Sequence, residues 1–276
     1  MIRFLPALFL LACDGGKDTA DTETTVDTDG EQAVTLTFDA RFGSQPAACG
    51  QAADGVGTSG SSVELQDLRF FVHGVELVTA DGDAVAVSVE DDGAWQSGGV
   101  ALLDFEDATG KCANGSSQLN SAVTGTVPAG EYTGVRFVLG VPAELNHEDP
   151  TVAPSPLNLT AMHWSWQGGY KFMRMDLSTE GLPEGWFFHL GSTGCEADES
   201  GTITGCASPN RVDVELEMDP DSQVVVVDFA ALLAGSDVDT DSGGAQGCMS
   251  GPDDPECPPL LDRVGVSGAQ ALFSAE

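Results

Sequence analysis

Apolar and polar positions alternate with a period of two in several short runs of this chain, the pattern of a strand with one buried face. Val34, Leu36 and Phe38 alternate with Thr35, Thr37 and Asp39, and Val212, Val214, Leu216 and Met218 alternate with Asp213, Glu215 and Glu217. Between Val63 and Val78 both alternating sets are apolar, which predicts a strand covered on two sides, with Phe71, His73, Val75 and Leu77 on one of its faces. Ala84–Val89 follows across Asp81-Gly82-Asp83, a composition suited to a hairpin turn. Further strands are predicted at Tyr132–Val141, Tyr170–Leu177, Phe187–His189 and Val224–Phe229, whereas Asp91–Pro128 reads as long loops. Asp228–Leu233 predicts one helical turn, helix is otherwise scarce, and no repeat of about 20 to 50 residues is present. Many short strands and long loops predict an all-β fold, a single antiparallel sandwich-like domain with disulfide-stapled loops.

The two ends of that pattern are set by composition. Residues 1–12 have one Arg and a short apolar run ending at Leu10-Leu11-Ala12 before Cys13, too short to span a bilayer and similar to a bacterial lipoprotein signal. Cleavage before Cys13 and lipidation of its thiol are expected. Residues 13–32 are an acidic, apolar-poor tether, and residues 33–276 are the β domain, interrupted at 235–258 by a second acidic stretch. There Asp237, Asp239 and Asp241 alternate, but Ser242 and Cys248 stand where an EF-hand loop needs Gly and Glu, so a solvated loop is expected.

The 44 Asp and Glu against ten Lys and Arg, a formal charge of -34, argue against nucleic acid and anionic lipid as partners. With Cys13 lipidated, Cys49, Cys112, Cys195, Cys206, Cys248 and Cys257 form an even set for pairing in an oxidising compartment. Short loops favour Cys195 with Cys206 and Cys248 with Cys257, leaving Cys49 with Cys112, although six cysteines permit fifteen connectivities. Nucleophile elbows, zinc-protease helices, phosphate loops and dinucleotide fingerprints are all missing, so an enzyme has little support.

Rare residues concentrate in one segment. Ser155–Phe172 holds two of the four Trp, one of the four His and one of the two Tyr. As a strand it would put Met162, Trp164 and Trp166 on a core face and His163, Ser165 and Gln167 on the other, before Gly168-Gly169 ends it. A lone His is commonly a hydrogen-bonded core residue, but His73, His147 and His189 also lie in distinctive apolar or Pro-rich blocks, none in an acidic linker. Four imidazoles on a stapled β frame suit copper or zinc, and Met162, Met173 and Met175 are soft donors nearby, more often core filler. The acidic surface should raise the imidazole pKa values somewhat.

Several ordered blocks between Val34 and Phe273 resemble the MbnP-like copper-binding family, named for the methanobactin cassette and also called metallo-mystery-pair four-Cys-motif proteins. They are Leu68-Arg69-Phe70-Phe71-Val72, Gly140-Val141-Pro142 through Leu145-Asn146-His147, Ser155-Pro156-Leu157-Asn158, Met162–Phe172 and His189–Cys195. The resemblance implies a periplasmic or cell-surface lipoprotein of a Gram-negative bacterium that binds copper. The four His are the expected ligands because each falls in an apolar or family-matching block: His163 and His189 first, as each sits in a strand-like block beside bulky aromatics, with His73 and His147 completing the shell. The resemblance also implies a partner, a di-haem cytochrome c peroxidase-like protein, that oxidises a Trp to kynurenine, with Trp164 and Trp166 as candidates. Related methanotroph proteins place the oxidised Trp two residues before a ligating His, whereas His163 here precedes both Trp, so kynurenine itself is not carried over as a ligand. The alternatives are a non-metal surface or adhesion module, in which the His are incidental, and a secreted hydrolase using paired carboxylates. Neither accounts for the His and Trp blocks together.

Overall fold

The computed structural model describes residues 30–276 except Asn114. The expected signal peptide, lipidation at Cys13 and nearly all of the acidic tether therefore lie outside the described residues. Two main sheets carry the chain. One runs Phe273–Ala275, Val225–Asp228, Glu31–Phe42, Ala122–Pro128, Ser88–Val89. The other runs His163–Ser165, Gly169–Ser178, Ser61–Val78, Gly134–Leu139, Val212–Glu217, with Trp186–Gly191 on the far edge of Gly169–Ser178. A small separate hairpin joins Thr193–Ala197 to Ile203–Ser208. Among the described residues the named strands pair antiparallel apart from Phe38–Arg41, which runs parallel to Val225–Asp228; an isolated parallel bridge also joins Phe188 to Cys248.

The sheets meet through aromatic side chains that alternation aims inward. Phe38 of one sheet sits 5.6 Å from Phe137 and 6.0 Å from Phe70 of the other, and Phe273 is 5.2 Å from Phe137. Burying each such ring is worth about 1.5–3 kcal/mol, which makes this seam a principal source of stability. Ser61–Val78 is buried along most of its length, as its apolar character on both faces predicts. It is long enough to change partners, from Gly169–Ser178 near its start to Gly134–Leu139 near its end.

Part of the expected loop region is strand. Val100–Asp104 is buried at every position and pairs with Arg69–His73. A short apolar run without alternation carries no period, so only its tertiary cover on both faces identifies it. Ala122–Pro128 pairs with Glu31–Thr37, and Gly125 lets the neighbouring chain approach, since a Cβ there would lie 2.4 Å from the Ser88 carbonyl oxygen. Ala84–Val89 is split: Ala84–Ala86 stays on the long strand while Ser88–Val89 crosses to the other sheet.

Asp228 caps the helix Phe229–Leu233, its carboxylate accepting from the amides of Ala230 and Ala231 at 2.9 and 3.2 Å. A second helix, Cys257–Val264, departs from the strand-and-loop pattern; it starts at prolines, tolerated where amides have no helical partner, and ends at Gly265 with φ +105°. The 235–258 stretch is not simply solvated, because Val238 is fully buried and Asp239 Oδ1 accepts from Ser61 Oγ at 2.7 Å and Gly181 N at 2.8 Å. Disulfides join Cys49 to Cys112, Cys195 to Cys206 and Cys248 to Cys257, the pairing that short loops favour.

Candidate metal centre

The centre is built where an irregular loop docks on the start of the Gly169–Ser178 strand. Asn146, fully buried, accepts from the Tyr170 amide through both its main-chain oxygen and Oδ1, each at 3.1 Å. Close docking needs Gly169: its φ is +75°, and a Cβ there would fall 2.4 Å from the Asn146 carbonyl oxygen. His147 follows directly, so the loop delivers its imidazole to the segment carrying His163 and Trp166.

Hydrogen bonding sets the tautomer of His147. Its Nδ1 lies 3.0 Å from the Trp166 carbonyl oxygen, which can only accept, so Nδ1 carries the proton and Nε2 keeps its lone pair. That Nε2 has Asn146 Nδ2 at 3.2 Å and Cys206 Sγ at 3.6 Å. His147, Cys195 and Cys206 bring their donor atoms within 4.8 Å of one another, but the two sulfurs are bonded to each other and offer no thiolate. The imidazole is the one member of that group able to take a metal.

His163 is the second candidate donor. Its Nε2 is buried and has no hydrogen-bond partner, while its ring stands edge-on to Tyr170 at 4.9 Å between centroids. A buried nitrogen left unpaired is costly unless something binds it. Burial, the first cause, lowers the pKa of both imidazoles, and the charge of His147 lowers that of His163 further. Two neutral imidazoles within electrostatic reach, one with its lone pair oriented and one orphaned, fit a borderline metal such as copper.

The MbnP family model matches residues 31–250. The chain belongs to the MbnP family. Its fold is similar to the solved structure of MbnP from Methylosinus trichosporium, with a TM-score of 0.79 and 30% identity over 89% of this chain and 98% of that one. No curated protein sequence matches.

In this MbnP-family chain the four expected ligands do not form one shell: among the described residues no three imidazoles bring their nitrogens within 4.8 Å of one another. His189 Nε2 is 2.6 Å from Asp176 Oδ1, in a buried network where Arg174 bridges Asp176 and Asp67, and Asp67 also pairs with Arg69. His73 is half-buried, and its Nδ1 donates to the Gly140 carbonyl at 2.9 Å. All four imidazole pKa values are lowered rather than raised, with burial the largest cause in each, so desolvation outweighs the acidic surface.

The tryptophans also depart from the expected alternation. The strand is only His163–Ser165; Met162 ends the preceding 3-10 turn, fully buried, and Trp166 falls in the turn after the strand, 55% exposed. Trp164 is half-buried with its ring against Gly191, where a Cβ would come within 2.6 Å of Cζ3. It lines a 440 Å³ cleft with Gln167, Thr193, Cys195 and Met249. Met162, Met173 and Met175 are fully buried in the core. Asn146 and Gly169 both fall in the blocks that carry the family resemblance, but their contact joins segments far apart in the chain, and only the Gly-Gly pair marks a special backbone locally.

Proposed function

We propose that this chain is an exported copper-binding protein that holds the metal through Nε2 of His147 and Nε2 of His163. The observation that carries this reading is the buried, partnerless Nε2 of His163 beside an imidazole whose tautomer is already set for ligation. Copper bound there would supply one-electron chemistry or be carried as cargo. The protein's own residues hold the imidazoles neutral, orient them and screen them from water. Three disulfides support an oxidising compartment, and Leu10-Leu11-Ala12-Cys13 supports a lipid anchor on a periplasmic or cell-surface protein.

The chain is a binding protein rather than an enzyme, and Trp166 is the residue presented to a di-haem cytochrome c peroxidase-like partner for conversion to kynurenine. Exposure of Trp166 and its link to His147 support that choice over Trp164. His73 and His189 belong to the frame around the pair.

Competition for Cu(I) against a chromophoric chelator tests the site. One copper per chain is expected, with His147→Ala and His163→Ala each weakening binding by at least about a hundredfold. Unchanged affinity in the double variant would refute the assignment.

A further inference from the structure

The acidic stretch that follows the Phe229–Leu233 helix leaves two buried oxygens without partners on one small cavity. Ser236 is 4% exposed and Glu256 9%, and neither Ser236 Oγ nor Glu256 Oε2 has a hydrogen-bond partner. Both residues line a cavity of 200 Å³ together with Asp237, Thr240 and Ser242. Buried oxygens are paired in folded proteins as a rule, so two orphans on one cavity point to something that binds there.

The charge around the cavity points the same way. Glu256 Oε1 accepts from the Ser242 amide at 2.6 Å, which fixes the carboxylate, while Oε2 is buried without a partner and the residue lines the cavity. Asp254 Oδ1 accepts from the Glu256 amide at 3.3 Å, so a second carboxylate lies beside the cavity wall. Asp237 uses Oδ1 to accept from the Asp239 amide at 3.0 Å and keeps Oδ2 for a ligand. Asp239, by contrast, already caps Ser61 and Gly181, and Asp241 accepts from Gly243. The alternating aspartates of this stretch thus have separate duties, and the EF-hand spacing does not decide which of them can bind an ion.

We propose that this cavity binds a calcium ion through the carboxylates of Glu256 and Asp237 and the hydroxyl of Ser236. Every donor is a hard oxygen, no His lines the cavity, and the adjacent Cys248 and Cys257 are spent in a disulfide. That set suits calcium and not copper. Calcium also accepts irregular shells of six to eight oxygens, so Thr240, main-chain carbonyls and water complete it without a regular loop. The ion ties the exit of the first helix to the entry of Cys257–Val264, neutralising charge where the acidic stretch turns into the fold.

The test uses purified chain dialysed against EGTA and titrated with calcium chloride, read by calorimetry and thermal melting. One calcium per chain and a higher melting midpoint are expected. Glu256→Gln and Asp237→Asn should each bind at least about tenfold more weakly. Asp253→Asn, in the same acidic stretch but outside the cavity lining, should bind as the parent does, as should His147→Ala. If Glu256→Gln fails to fold, Asp237→Asn gives the reading alone. No calcium bound at millimolar concentration, undiminished affinity in Asp237→Asn, or an equal loss in Asp253→Asn would overturn the proposal.

Discussion

His147 and Trp166, 19 residues apart, are joined by a 3.0 Å hydrogen bond from Nδ1 to the main-chain carbonyl. The bond fixes the tautomer of a proposed ligand and ties it to the main chain of a residue whose indole is exposed. If Trp166 is the residue a partner oxidises, co-expression with a di-haem peroxidase-like enzyme should place kynurenine mass on Trp166 in tandem mass spectrometry. Trp166→Phe should abolish it and Trp164→Phe should not. Modification confined to Trp164 would count against the exposure argument.

Asn146 positions the loop rather than touching a substrate. Asn146→Ala removes one of the two acceptors of the Tyr170 amide at a fully buried site and keeps the main-chain oxygen, so a loss of about 0.5–1.5 kcal/mol is expected in urea denaturation. Copper affinity should fall about 10- to 100-fold because His147 loses its mooring. Gly169→Ala should act in the same direction, since its Cβ meets the Asn146 carbonyl oxygen at a positive φ. Parent-like copper affinity in both variants would show that the docking is irrelevant to the metal.

Acid should act on the imidazoles later than on free histidine. The pKa values of His147 and His163 are lowered by burial, so the unfolded chain binds protons first as pH falls below about 6.5. These groups therefore contribute stability that is present above that pH and lost as pH falls through the depressed folded values. Copper should stay bound as pH falls through the range where free histidine protonates and be released only in stronger acid, where protons compete for both Nε2 atoms. Chelator competition across this range checks the point; half-release near neutral pH would contradict it.

His189 and Asp176 form a buried pair whose loss should be felt in stability. His189→Ala leaves Asp176 short of a donor and should cost about 1.5–3 kcal/mol, with copper affinity changed less than about threefold. Stability by denaturation and affinity by chelator competition separate the two effects. A large drop in affinity without a drop in stability would return His189 to the metal shell.

Much of the sheet structure is legible in local periodicity. The alternation at Val34–Asp39 and Val212–Met218, and the doubly apolar run to Val78, mark three strands because side-chain direction along a strand follows from backbone geometry alone. The short spacings of Cys195–Cys206 and Cys248–Cys257 similarly limit what can pair. Periodicity is silent where a segment is too short to show a period or is covered by distant chain. Val100–Asp104 becomes a buried strand only through contact with Ser61–Val78, and the His163 strand stops before alternation can carry Trp166 inward.

The blocks around the four histidines identify the family from sequence order, but their roles separate only in three dimensions. His147 reaches the His163–Trp166 segment because Asn146 docks at Gly169, while His189 turns to Asp176 on the neighbouring strand. Imidazole chemistry is the same at all four positions. Burial, tautomer and the partner of each ring nitrogen decide which can take a metal, and those are set by contacts between residues far apart in the chain. The same holds for Ser236 and Glu256, whose oxygens become unpaired neighbours of one cavity only when the acidic stretch folds back between two helices.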